Sequence, residues 1–266
     1  MHFYQLSIEL NFMSLFFLYS SLEEIIFKFF IVYARVSVVF FLLPVFGSRI
    51  LSNIIVKNVV ITLAIIGLWP IINFSLIDKQ HKIFILCNEV VIGLVLALIT
   101  CIPFWIVSSV GELIDNQRGA TISDSIDPLH GIQSSILSGF LTFFYAALFF
   151  CLGGGKLVIT ILSDSYDLLP VGAGINKINF TGAGLILDNL VKVSIILASP
   201  VMIIMMLSEI LLGILSKYCP QLNPFSLSLT IKSILAFCIF IFYGLFTITQ
   251  KHFNVTTFEY IRYFLS

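Results

Sequence analysis

Six long apolar stretches are the feature that most constrains how this 266-residue chain can fold. A helix that crosses a lipid bilayer needs about 20 mostly apolar residues. Stretches of roughly that length or longer lie at residues 25–46, 54–72, 83–110, 136–152, 185–215 and 226–248. Unpaired backbone groups are costly in hydrocarbon, so such stretches favour helices over open sheets. The sequence therefore predicts an all-α, integral membrane fold of about six long, kinked helices arranged as hairpins.

The overall composition agrees with a membrane protein. Hydrophobic residues make up 59% of the chain and charged residues only 11%, whereas soluble domains carry about 25% charged residues. A soluble protein of this composition would expose apolar surface and aggregate. The 14 basic and 14 acidic side chains balance each other, so the chain lacks the positive charge that nucleic-acid binding requires. We expect contact with membrane lipid and none with nucleic acid.

The apolar stretches suggest a single membrane domain covering residues 1–266. The third and fifth stretches are too long for one straight span, and Pro103 and Pro200 permit a kink, or a division into two helices, in each. Residues 153–184 are rich in glycine and predict a loop with a short helix. The five cysteines form no CxxC motif, so we expect neither a zinc site nor any other cofactor.

Charged side chains inside the apolar stretches are the second informative feature. Each would cost about 2.5–3.5 kcal/mol at the centre of an inserted helix. They favour helices that pack against other protein or lie partly outside the hydrocarbon. These side chains are Arg35, Lys57, Glu89, Asp188, Lys192, Glu209 and Lys232.

A polar segment at residues 111–135 separates the third and fourth apolar stretches. Its core is the run Asp115, Asn116, Gln117, Arg118, Gly119, Ala120 and Thr121. Gly119 can adopt a positive φ and allow a sharp turn, while the side chains before it offer several donors and acceptors. Two interpretations remain open: a loop that folds back into a pore, and an ordinary solvated loop.

A second polar pattern lies around the end of the fifth stretch. Glu209, Gly213 and Lys217 are spaced four residues apart and share one helix face, where Gly213 permits close approach of another helix. A turn containing Gln221 and Asn223 follows, and Lys232 on the next helix can reach back to Glu209. That pairing can lie within one chain or between subunits.

These motifs resemble those of type III secretion export-apparatus proteins of the SctT/SpaR family, whose flagellar counterpart is FliR. The run from Asp115 to Ala120, followed by Ile126, Asp127 and Pro128, is similar to the virulence-associated branch. The residues around Pro200, Glu209, Gly213, Lys217 and Lys232 form a second matching block. A weaker third block contains Ala34, Arg35, Pro44, Trp69 and Pro70.

The resemblance implies a non-enzymatic subunit of a helical export-gate complex in the bacterial inner membrane. Its implied partners are two small hydrophobic subunits (SctR/FliP-like and SctS/FliQ-like), the larger export-gate and switch subunits, the needle base and unfolded secreted substrates. Residues 115–125 would form a plug in the closed channel. Residues expected to act in assembly or charge pairing are Arg35, Glu209, Gly213, Lys217, Gln221, Asn223 and Lys232.

Two other classes of function compete with this one. A secondary, proton-coupled transporter would use Glu89, Asp188 or Glu209 as its carboxylate, although no internal repeat is visible. An intramembrane enzyme would use the pair Asp124 and Asp127, which lies near Ser125, His130 and Ser134. The sequence has no HExxH or GxSxG motif, and Asp127 before Pro128 is typical of a turn. We therefore expect no enzymatic activity.

Overall fold

Helices make up nearly all of the backbone that the structure describes. The computed structural model describes residues 2–47, 53–74, 82–119, 135–172, 183–219 and 224–250, and these ranges contain no β-strand. The helices are α1 (His2–Leu42), α2 (Ile54–Leu68), α3 (Lys82–Gln117), α4 (Ile136–Cys151), α5 (Gly154–Leu168), α6 (Ala183–Tyr218), α7 (Pro224–Ile239) and α8 (Leu245–Gln250). A π-helical turn, Phe240–Gly244, joins α7 to α8.

Several of these helices are suited to crossing a membrane. In the described ranges five are long and apolar enough: Ser21–Leu42, Ile54–Ile71, Lys82–Gln117, Gly184–Tyr218 and Leu227–Ile248. Helices α4 and α5 give a sixth span if this pair, bent by 76°, is counted as one. The predicted all-α membrane fold is confirmed, and the spans lie close to the predicted stretches.

The structure places helical residues within two of the predicted connections. The segment 111–135 is not a loop from its start, because α3 remains helical through Gln117. In the glycine-rich region 153–184, α5 is a full 15-residue helix. Pro103 and Pro200 both lie inside uninterrupted helices, so neither divides its stretch in two.

Helix α3 forms the centre of the fold. In its apolar window 72% of the residues are buried, against 22% for α2 and 33% for α6. It packs against α1, α4 and α6, and α7 in turn packs against α6. The ring of Phe104 on α3 meets Tyr145 and Phe149 of α4 edge to face, at centroid distances of 5.0 and 5.3 Å. The outer helices α2, α6 and α7 leave broad apolar faces exposed.

Candidate functional site

The polar end of α3 turns sharply after Arg118. The helix ends at Gln117, and Gly119 has a φ of 77°, in the left-handed region. Its amide donates to the Asn116 carbonyl at 3.1 Å. A glycine in this conformation commonly ends a helix because it has no Cβ to clash. The predicted turn at Gly119 is therefore present, at the end of a helix rather than inside a loop.

Asp115 joins this end of α3 to the beginning of α4. Its Oδ2 accepts hydrogen bonds from Ser135 Oγ at 2.6 Å and from the Leu137 amide at 3.0 Å. Its Oδ1 accepts from Arg118 Nε at 2.7 Å. The Asp115 side chain is only 1% exposed. A carboxylate at a helix N-terminus satisfies free backbone amides and interacts favourably with the helix dipole, so Asp115 acts as a cap supplied by another helix.

One helical turn before Asp115, the backbones of α3 and α4 come into close contact. A Cβ added to Gly111 of α3 would lie 2.5 Å from both the amide nitrogen and the Cα of Ser138 on α4. The Ser108 and Ser138 hydroxyl oxygens are 2.8 Å apart at the same crossing. The Ser135 hydroxyl, which donates to Asp115, also accepts from the Ser138 amide at 3.0 Å. We call this set of contacts, made by Ser108, Gly111, Asp115, Ser135 and Ser138, the α3–α4 junction.

The remaining residues of the predicted plug are less buried. The guanidinium carbon of Arg118 lies 5.2 Å from the centre of the Phe237 ring on α7, within the range of a cation–π contact. Asn116 is exposed, and Gln117 and Gly119 are half-buried. Ala120 and Thr121 lie outside the described residues. The role of this set in gating stays a prediction.

Arg35 holds three helices together inside the chain. Its Nε donates to Glu89 Oε2 of α3 at 2.6 Å, and its Nη1 and Nη2 donate to the Ser165 and Leu169 carbonyls at the end of α5, at 3.1 and 3.0 Å. Its guanidinium stacks on the Tyr166 ring at 4.1 Å. The side chain is 0% exposed. Arg35 is thus engaged in charge pairing inside the chain, and its role in assembly stays a prediction.

The α6–α7 hairpin contains the predicted ion pair of Glu209 and Lys232. Lys232 Nζ lies 2.7 Å from Glu209 Oε2, and the contact is within one chain. The lysine side chain is 8% exposed and the glutamate 54%. Gly213 and Lys217 lie further along the same uninterrupted helix and are exposed, with no atom of the described residues within 4 Å of a Cβ built on Gly213. Gln221 and Asn223 lie outside the described residues.

Sequence reasoning missed several residues of these sites. The sequence marks Glu89 as a charge inside an apolar stretch but carries no signal for its pairing with Arg35, 54 positions away. Ser108 and Ser138 carry no signal of their contact either. Ser135 carried a usable signal, because serine directly before an apolar stretch is a common helix N-cap.

Every carboxylate proposed for proton-coupled transport has a cationic partner. Glu89 pairs with Arg35, Asp188 with Lys192 and Glu209 with Lys232, at 2.6, 2.6 and 2.7 Å. The Asp124 and Asp127 pair lies outside the described residues, and no group of three metal-binding side chains is found among those that are described.

Together the long apolar helices, with polar side chains gathered at helix ends and crossings, define a multi-pass membrane protein. The chain matches the family described as bacterial export proteins, family 1, over residues 26–257. Because that match covers most of its 266 residues, the chain belongs to this family. With its long apolar helices, it is a multi-pass protein of the inner membrane.

Several named proteins are similar to this chain over most of its length. The chain is 41% identical over 218 residues to the surface presentation of antigens protein SpaR of Shigella sonnei, covering 79% of this chain and 82% of the relative. It is 35% identical over 215 residues to SpaR of Salmonella typhimurium, covering 79% and 80%. The flagellar biosynthetic protein FliR of Bacillus subtilis is 26% identical over 252 residues, covering 89% and 94%.

Proposed function

We propose that this chain is a core export-gate subunit of a type III protein secretion system, helping to form and close the channel for unfolded proteins at the inner membrane. The observation that carries the proposal is the 41% identity to SpaR over about four-fifths of both chains. Other relatives are named as a Yop protein translocation protein and a secretion system apparatus protein, and both names describe protein export.

The polar end of α3 supports a closing role for the segment that follows it. Residues 115–125 begin within the last turn of α3, a mostly buried helix, so the contacts that fix the end of that helix also fix where the segment leaves it. Asp115 fixes this end through its hydrogen bond to α4, and Arg118 through its ring contact with α7. We assign gating to the segment containing Gln117, Arg118 and Gly119.

The exposed apolar faces support assembly with other membrane subunits. On α6 a half-exposed Glu209 and an exposed Gly213 interrupt a surface formed by Met206, Leu207, Ile210 and Leu211. A small residue on such a surface lets another helix approach closely. The partners proposed are two small hydrophobic subunits of the SctR and SctS kinds, with the larger gate and switch subunits and the needle base beyond them. The chain itself is proposed to carry no enzymatic activity.

The test places a photo-crosslinking residue at Gln117, Arg118 or Gly119 in cells whose export substrate is stalled in passage. We expect crosslinks to the substrate from at least one of these positions. A matched probe at Trp69, on a short turn distant in sequence, should give none. Crosslinks only to neighbouring subunits, with the stalled substrate verified, would remove the gating assignment. Normal secretion after deletion of the gene would remove the proposed function itself.

A further inference from the structure

We propose that the α3–α4 junction stays closed throughout export, and that Asp115 is the positioning residue that keeps it closed. The inference rests on the proposed function and deepens it. It predicts that α3 and α4 remain in contact at this junction when the channel opens. Asp115 therefore belongs to a part of the gate that does not come apart.

The backbones of α3 and α4 are in close contact at the junction. At Gly111 even one added carbon would lie 2.5 Å from main-chain atoms of Ser138. Backbone atoms in such contact cannot slide past each other without separating the helices. Phe104 packs against Tyr145 and Phe149 further along the same pair of helices, so separation would also open this aromatic contact.

Asp115 would lose most of its hydrogen bonds if the two helices parted. Its carboxylate is 1% exposed and accepts three hydrogen bonds, two of them from Ser135, the N-cap of α4, and from the Leu137 amide. Separation of α3 from α4 would break both of these and leave the Leu137 amide without its acceptor. Loss of hydrogen-bond donors to a buried carboxylate is unfavourable. Only Arg118 would remain paired with Asp115, since it belongs to the same end of α3.

The end of α3 is attached to α7 by a weaker contact. Arg118 meets that helix through a single ring contact, between its guanidinium and Phe237 at 5.2 Å, and the Phe237 side chain is itself exposed. Breaking this contact leaves Arg118 paired with Asp115. The weaker attachment therefore lies towards α7, and the stronger one lies between α3 and α4.

A disulfide bond across the junction tests whether it opens. The Ser108 and Ser138 hydroxyl oxygens are 2.8 Å apart, so cysteines at these positions bring two sulfur atoms close to bonding distance, about 2.0 Å. The background has the five native cysteines replaced, and the single variants Ser108→Cys and Ser138→Cys are the matched controls. With the disulfide verified, we expect secretion within about twofold of either single variant. A loss of tenfold or more on oxidation, reversed by reductant, would overturn the inference.

The same disulfide tests the role of Asp115. We expect Asp115→Ala to raise ion leakage through the assembled apparatus in cells that are not exporting, and the Ser108→Cys/Ser138→Cys disulfide to return the leak to the level of the parent. Asp115→Asn, which keeps one acceptor oxygen and the side-chain shape, serves as the milder variant if Asp115→Ala fails to assemble.

If the leak persists with the disulfide formed, Asp115 does not act through the α3–α4 junction. If Asp115→Ala assembles and shows no leak, Asp115 is not needed to keep the junction closed. Deletion of the gene separates the two levels of failure. If deletion leaves secretion normal, the proposed function fails. If deletion abolishes secretion but the disulfide blocks it, only the closed junction fails.

Discussion

At the scale of single residues, the ion pair of Arg35 and Glu89 is the most sensitive point of the chain. We expect Glu89→Gln to lower the free energy of unfolding by about 3–5 kcal/mol, because it leaves the fully buried Arg35 charge uncompensated. The midpoint of unfolding in a denaturing-detergent titration of the purified protein measures this change.

A matched control for that pair is Asp188→Asn. Its salt bridge with Lys192 is equally short, 2.6 Å, but both side chains are more than half exposed. Removing it should change the free energy of unfolding by at most about 1 kcal/mol. The double variant Arg35→Met/Glu89→Gln should recover part of the loss, since no lone charge remains buried. Equal losses for the buried and exposed pairs would contradict this account.

Gly93 carries a second residue-scale prediction. A Cβ at this position would lie 2.6 Å from the Arg35 carbonyl oxygen, so α1 and α3 can cross here only if the side chain is absent. Gly93→Ala should therefore reduce the free energy of unfolding by about 1–3 kcal/mol, the usual cost of overpacking. Gly67→Ala is the control, because nothing lies within 4 Å of its Cβ and alanine is the better helix former. It should be neutral or stabilising in the same detergent titration.

These residues show what the sequence could and could not foretell. Local signals were sufficient for the spans, for the turn at Gly119 and for the approach of Lys232 to Glu209, since each depends on residues close together or on neighbouring helices. The partnership of Arg35 with Glu89, Ser165 and Leu169 depends on positions up to 134 residues apart. No periodicity or motif encodes such a distance. Asp115 looked like a loop residue because its partners at the start of α4 lie 20 and 22 residues further on.

At the scale of helices, the bend between α4 and α5 depends on a single glycine. Gly153 has a φ of 82°, which costs an L-residue about 1–2 kcal/mol. Gly153→Ala should destabilise the protein by about that amount. Gly155→Ala, two positions further on and with nothing within 4 Å of its Cβ, should not. Thermal inactivation of the purified variants in detergent compares the two, and equal effects would show that the bend does not depend on backbone conformation at Gly153.

The α6–α7 hairpin supplies another helix-scale prediction. Lys232→Glu places two carboxylates together where one side chain is nearly buried, and should cost about 1.5–3 kcal/mol. The exchanged pair Glu209→Lys/Lys232→Glu should restore most of the lost protein in the membrane, measured as the amount of intact chain after fractionation. Without rescue, the observed ion pair would be incidental to the stability of the hairpin.

At the scale of the whole molecule, the apolar faces of α6 and α7 are left exposed by the parts of the chain that the structure describes. Cys238 lies exposed on α7, whereas Cys101 is buried in α3 beside the Leu42 carbonyl. In single-cysteine variants solubilised in mild detergent, we expect N-ethylmaleimide to label Cys238 in the isolated chain. Labelling should fall at least fivefold in the assembled apparatus, while Cys101 should resist it in both. Equal labelling of Cys238 in both states would show that α7 faces lipid.

The three-helix contact of Arg35 also has a consequence for how the protein is made. Its partner Glu89 is synthesised 54 residues after it, and the Ser165 and Leu169 carbonyls 130 and 134 residues after it. At about 5–20 residues per second, the ribosome needs roughly 3–11 s to deliver the first partner and about 7–27 s for the last. Throughout that interval the first spanning helix carries an unmatched positive charge. The nascent chain must therefore be sheltered beside the insertion machinery until its third and fifth helices emerge.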